Sequence, residues 1–225
     1  VRIVAQTLDH AGPVASRTSC VVCGRGNYSP AAEQLEVRCN VRAFKDQVFT
    51  VWRCDECRSI HSLQVVDLAP YYARYPFTRR RLDLWTRVAL RNLLRPLREN
   101  GFVASSTLLD HGCSEGNFLA VLKGKGFAHC FGYDPYSADF HDGAVLSRKY
   151  DFVFSNDIIE HVEDPRAYLR ELCSYARPGG VLVVGTPNAA RLDFASTGSG
   201  LHHHLHQPYH THIVSEQGFR ALAGE

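Results

Sequence analysis

The stretch Ser106-Thr107-Leu108-Leu109-Asp110, running into His111-Gly112-Cys113-Ser114-Glu115-Gly116 and then Asn117-Phe118-Leu119-Ala120-Val121-Leu122, decides the fold. The first five residues read as a short buried strand, and the last six open a helix. A strand, a glycine turn and a helix in that order form the entry to a nucleotide-type site at the carboxyl end of a parallel sheet. The turn is Gly-x3-Gly, neither G-x-G-x-x-G nor a run ending in Gly-Lys-Ser/Thr. Asp110 and Glu115 place negative charge at its mouth. Such a mouth repels a pyrophosphate and suits a cationic sulfonium that carries an amino group. Cys130-Phe131-Gly132-Tyr133-Asp134 then reads as a second strand, ending in an acid 24 residues after Asp110. A carboxylate at that place accepts hydrogen bonds from ribose hydroxyls.

Two further stretches follow in order: Tyr150-Asp151-Phe152-Val153-Phe154-Ser155-Asn156-Asp157-Ile158-Ile159-Glu160-His161-Val162-Glu163-Asp164-Pro165, and Arg177-Pro178-Gly179-Gly180-Val181-Leu182-Val183-Val184-Gly185-Thr186-Pro187-Asn188. Together with the glycine turn these resemble the first, fourth-strand and fifth-strand motifs of class I S-adenosylmethionine-dependent methyltransferases, over residues 80–222. The resemblance implies an α/β fold: a Rossmann-like parallel sheet whose last strands are missing from this chain. It implies that Gly112 and Gly116 frame the methionine part of the cofactor. Asp110, Cys113, Asn117 and Phe118 share that loop and helix start, Asp134 holds the ribose, and Asn156 or Asp157 lies beside the cofactor. One departure stands out: only 15 residues separate Asp134 from Tyr150. A helix, a strand and a loop normally fit there, so the expectation is an almost absent helix with residues 139–142 as a short third strand.

Upstream, Cys20-Val21-Val22-Cys23 and Cys54-Asp55-Glu56-Cys57 form two CxxC knuckles. Paired knuckles at this separation are the pattern of a four-thiolate zinc site. The residues between them alternate as strands, at 35–39 and 47–53, with a third over 60–66. This is a zinc-ribbon reading, in which the metal is structural because four thiolates close its coordination. Cys39 and His61 are weaker ligand alternatives, and Cys113, Cys130 and Cys173 are expected in the core. The chain divides into an extension over 1–17, the ribbon over 18–66, a linker and helix over 67–100, and the cofactor domain over 101–225. Tyr71, Tyr72 and Tyr75 in the linker either pack or line a substrate pocket. The linker helix carries an apolar face and an arginine stripe (Arg87, Arg91, Arg95, Arg98), and Pro96 is expected to end or kink it near Leu94.

Three histidines are candidates for the chemistry. His161 follows the fourth strand, where it either accepts a proton or orders the turn before a helix capped by Asp164. The segment 201–212 holds six of the chain's 12 histidines. It reads as a substrate lid using His206 or His210, as a second metal site, or as plain surface. A formal net charge of +2 argues against a protein that coats nucleic acid. No apolar run approaches the ~20 residues of a membrane span. Without a signal peptide, the thiols point to a reducing, cytoplasmic setting. There is no Met, even at position 1, and the expected sheet is incomplete; both predict a longer native chain. The resulting expectation is methyl transfer from S-adenosylmethionine to a small molecule such as a sugar or another biosynthetic intermediate. The alternatives are an RNA methyltransferase that grips RNA with the ribbon and the arginine stripe, and a non-catalytic cofactor-binding scaffold.

Overall fold

A computed structural model describes residues 13–74, 84–196, 201 and 204–224. Tyr75 and the expected start of the linker helix lie outside them. The chain divides into two compact units: residues 1–76 joined by 188–225, and residues 77–187.

The first unit opens with β1 (Ala15–Ser16), β2 (Gln34–Arg38), β3 (Val48–Arg53), β4 (Ile60–Ser62), β5 (Gln64–Val65) and the single turn α1 (Ala69–Tyr72). The strand expected over 60–66 is thus two short strands broken at Leu63. β2, β3 and β4 form an antiparallel sheet, and β1 pairs with β5. Val37, Val51 and Ile60, one from each strand, turn into one core, while β4 and the end of β3 are buried on both faces.

The second unit starts with α2 (Leu84–Glu99), which carries Pro96 inside it. The expected stop near Leu94 is therefore corrected. Proline removes one helical N–H, but Leu94 and Leu97 are buried against Phe102, Leu122 and their neighbours. Asn100 Nδ2 donates to the Pro96 carbonyl at 2.8 Å. Packing and that cap hold the last turn. Arg91, Arg95 and Arg98 are exposed, and Arg95 is paired with Glu99 at 2.7 Å.

β6 (Leu108–His111), α3 (Asn117–Lys123), β7 (Cys130–Tyr133), β8 (Tyr150–Asn156), α4 (Pro165–Tyr175) and β9 (Ala176–Gly185) follow. The sheet is parallel, in the order β7-β6-β8-β9. The third strand expected over 139–142 is absent. Residues 134–142 form turns and irregular chain, and Gly143–Ser147 forms a 3-10 turn. Fifteen residues suffice for this short path back to β8, and β7 becomes an edge. As expected, Asp164 caps α4, accepting from the Ala167 N–H at 2.9 Å. Phe102, Phe127 and Phe152 form the aromatic centre of the core, with ring centroids 4.7 and 5.1 Å from Phe102. Cys173, expected in the core, is exposed on α4.

The chain then returns to the first unit. β10 (His212–Ile213) pairs antiparallel with β4, extending the ribbon sheet to β10-β4-β3-β2, and α5 (Glu216–Ala223) follows. Residues 188–224 were expected in the cofactor domain; among the described residues they pack with 13–74. Ala189, Leu201, Leu205 and Ile213 share one core with Val37, Val51 and Ile60.

If packing rather than propensity holds the end of α2, Leu97→Ala should cost about 2–5 kcal/mol in urea unfolding. Pro96→Ala should leave the midpoint unchanged or raise it.

Candidate functional site

β6 lies between β7 and β8, so its carboxyl end opens on the crevice where parallel sheets hold ligands. The turn leaving it is tightly wound: Gly112, Ser114 and Gly116 take φ of 83°, 52° and 70°. The turn is anchored by Gly112 N–H to the Tyr133 carbonyl at 2.7 Å and by Gly116 N–H to the Cys113 carbonyl at 2.9 Å. A Cβ at Gly112 would meet Ile158, and one at Gly116 would meet the Phe140 ring. Left-handed backbone and these close approaches together make glycine necessary at both positions.

The acids converge around this turn. Asp134 accepts the Ser114 N–H through Oδ2 at 2.8 Å and the Tyr136 N–H through Oδ1 at 2.9 Å. Asp110 is 4% exposed. Burial, and then the Asp134 charge, push its carboxyl up to about 7. At the end of β8, the Asn156 side chain lies across Gly185 and donates to Asp157 Oδ2 at 2.8 Å. Asp157 has φ of 56°, and its N–H reaches the Gly185 carbonyl at 2.9 Å. Cys113 is buried, which pushes its thiol up. Phe118 is a core residue against Phe154, with centroids 4.9 Å apart. Asn117 is half-buried at the first position of α3. His161, also half-buried, closes the 3-10 turn Ile159–His161.

Two features escaped the sequence reading. Glu160 is fully buried beside Asp157, accepts the Thr186 hydroxyl at 3.0 Å, and is pushed to about 7, chiefly by burial. Its only sequence signal was its position in the acidic run after β8. The second is a buried relay: His111 Nδ1 lies 3.0 Å from the Tyr168 hydroxyl, itself 2.8 Å from Ser155 Oγ. Its members come from β6, β8 and α4, and no local spacing announces it.

In the other unit, Cys20, Cys23, Cys54 and Cys57 bring four Sγ atoms within 4.8 Å of one another. Sulfur separations of 3.6 Å (Cys20–Cys57), 3.5 Å (Cys20–Cys23) and 3.8 Å (Cys23–Cys54) are far longer than a disulfide. They match the ~3.8 Å edge of a tetrahedron with metal–sulfur bonds of ~2.3 Å. The donor set therefore fits a zinc ion. Cys39 lies away from the cluster, in the core with Val41, Phe49 and Tyr71. His61 is fully buried with Nε2 3.2 Å from Cys20 Sγ. His206 and His210 share a turn in this same unit. His206 has φ of 29°, and the His210 ring Nδ1 lies 2.6 Å from the His204 carbonyl. His161 belongs to the unit of Asp110 and Asp134.

Comparison with known proteins adds the family. A family model described as a methyltransferase domain matches residues 77–224. This chain belongs to the methyltransferase-domain family. The ubiquinone biosynthesis O-methyltransferase of Methylobacterium sp. (strain 4-46) is 27% identical over 41% of this chain and 45% of its own length. That of Caulobacter vibrioides is 31% identical over 36% of this chain and 41% of its own. The chain spans less than half the length of the curated relatives it matches. A solved S-adenosylmethionine-dependent methyltransferase from Archaeoglobus fulgidus aligns at a TM-score of 0.46 and 21% identity, over 61% of this chain and 67% of that one.

The methyltransferase-domain match contains every candidate cofactor residue and all three candidate histidines, and none of the four cysteines. It also runs past residue 187, into the segment that folds with the first unit. Among the described residues, no helix is long and apolar enough to cross a membrane.

The Asp110 environment has a measurable consequence. Its carboxyl is raised in the fold from an ordinary 3.8 to about 7. The neutral acid's contribution to stability is thus complete below pH ~4 and is lost as pH rises through about 7. Asp110→Asn should therefore raise Tm relative to the unsubstituted protein more at pH 8 than at pH 5.5. Equal differences at the two pH values would show that Asp110 ionises freely.

Proposed function

We propose that this methyltransferase domain moves a methyl group from S-adenosylmethionine to a hydroxyl of a small biosynthetic intermediate. The observation that carries the proposal is the pair of carboxyl groups, Asp110 and Asp134, beside the glycine turn. Bound S-adenosylmethionine supplies an electrophilic methyl on a cationic sulfur. Asp134 spends one acceptor site per oxygen on backbone N–H groups. An ionised carboxylate offers about four such sites, which leaves about two for a ribose diol. Asp110, held half-ionised near neutrality by burial, gains a counter-charge when a cation arrives, and its proton then leaves. We assign Asp157 and Asn156 to the cofactor's side at the end of β8, and Gly112, Cys113, Gly116 and Asn117 to the turn around its methionine part. Phe118 supports that turn from the core.

His161 is assigned as the group that takes the acceptor's proton. It is preferred to His206 and His210 because it lies in the same compact unit as Asp110 and Asp134. Glu160 is fully buried and is assigned to fix its own turn through Thr186. A small-molecule acceptor is supported by the relatives, which are named for ubiquinone biosynthesis, and by a net charge of +2, too low for a protein that tracks nucleic acid. We further assign a structural zinc ion to Cys20, Cys23, Cys54 and Cys57, with residues 18–66 as its ribbon.

Calorimetry with S-adenosylhomocysteine tests the site. Asp134→Ala should weaken binding by at least ~10-fold, the loss of one or more hydrogen bonds to a charged group. His161→Ala should leave Kd unchanged while lowering turnover in a screen of hydroxylated acceptors. Failure of the folded protein to bind either S-adenosylmethionine or its product would end the proposal. For the unsubstituted protein, affinity for S-adenosylmethionine should rise between pH 6 and 8 as Asp110 loses its proton, and Asp110→Asn should flatten that rise.

A further inference from the structure

The histidine-bearing segment 188–224 is tied to the cysteine knuckles themselves. Ser215 Oγ donates to the Cys57 carbonyl, and Gln217 Nε2 donates to the Glu56 carbonyl at 2.8 Å. The Ser215 N–H donates to Ser59 Oγ at 3.1 Å. A Cβ on Gly218 would meet Ser59 Oγ and Val22, so α5 presses on both knuckles at a point where only hydrogen fits. β4, which leaves the second knuckle, takes β10 as its outer neighbour with His61 opposite His212. Arg53, one residue before Cys54, is 3% exposed. Its guanidinium donates to the Ala189 carbonyl at 2.7 Å and to the Leu192 carbonyl at 2.5 Å, besides pairing with Glu33 at 2.9 Å. These contacts need the 54–57 turn closed, as the Arg58 N–H to the Cys54 carbonyl at 2.9 Å and the Cys54 N–H to the Ser59 carbonyl at 2.8 Å hold it, and a metal across four thiolates would lock that closure.

We infer that metal in the four-cysteine site acts as a clamp on residues 188–224, so that metal loss releases the segment carrying His206 and His210 while the parallel sheet stays folded. The inference rests on the zinc assignment above. It makes the metal a switch: a chelator, or an oxidant that pairs the thiols, would free a segment more than 130 residues away in sequence. Release breaks the hydrogen bonds named above and uncovers Ala189, Leu201, Leu205 and Ile213, a local opening that leaves the parallel sheet intact and so costs less than global unfolding.

Hydrogen exchange on the full chain, with zinc content measured in parallel, tests this. After chelation under reducing conditions, amides in 211–222 should exchange at least ~10-fold faster together with those in 48–62. Those in 108–156 should keep their rates, and zinc should restore the original pattern. Ser215→Ala combined with Gln217→Ala keeps all four thiolates. It should accelerate exchange in 211–222 with zinc still bound, and unchanged exchange there would overturn the clamp. If stoichiometric zinc leaves without effect on 211–222, or 108–156 loses protection equally, the clamp is wrong while the zinc assignment survives. If no zinc binds, the zinc assignment itself has failed.

Discussion

The second unit depends on the parallel pairing of β6 with a neighbour on each side. Asp110 is fixed opposite Gly132 of β7 and Phe154 of β8. A carboxyl at that depth, with the core beneath it, is desolvated wherever its side chain turns. The absence of a side chain at Gly132 makes room for Leu119, Cys113 and Phe140, which seal the crevice floor. Everything else at the site follows from where β6 stops: the left-handed glycine turn, the Ser114 N–H aimed at Asp134, and the start of α3.

Much of this was legible because the signals are local. A strand, a two-glycine turn and a helix are written in consecutive residues, and Asp164-Pro165 announces a helix start just where α4 begins. The paired knuckles announce the thiolate cluster for the same reason: each CxxC fixes its own turn. Illegible features came from partners distant in sequence. β10 has two residues and no periodicity of its own, so only its fit beside β4 makes it a strand. Arg53 looked like an ordinary polar residue of an alternating strand, yet its charge is buried among carbonyls that lie 136 residues or more further along. Pro96 was read by its local rule, and the burial of Leu97 outweighed that rule. Cys173 shows the reverse error, an apolar residue type assigned to the core although its helical position faces water.

The boundary drawn by the family and the boundary drawn by packing do not coincide. The methyltransferase-domain match runs to residue 224, while the second compact unit ends at 187. Residues 188–224 are thus family sequence carried on the cysteine-bearing sheet. Leu201, Leu205 and Ile213 fill its core, and the Tyr209 ring meets Tyr72 in a tilted contact with centroids 4.8 Å apart. Without the C-terminal segment, the β2-β3-β4 sheet would leave Val37, Val51 and Ile60 without the partners that cover them here. The C-terminal segment removes that surface from water, which is reason enough for two distant pieces of chain to fold as one.

The same electrostatic cause acts twice at the carboxyl end of the parallel sheet. Asp110 and Glu160 are each buried, each lies near another acid (Asp134 and Asp157), and each is pushed to about 7. Burial is the larger cause at both positions, and the charge of the neighbouring acid adds to it. Burial at this depth disfavours the ionised form of an acid. Of the two, Asp110 stands where β6 runs into the glycine turn, so it is the one that can take up negative charge as a cation approaches. A ligand that brings positive charge would offset the cost of burying the ionised Asp110, which is the character of the cofactor proposed above. The buried Asp110 and the turn's departure from the phosphate-binding glycine patterns agree in one respect: both disfavour an anion at this place.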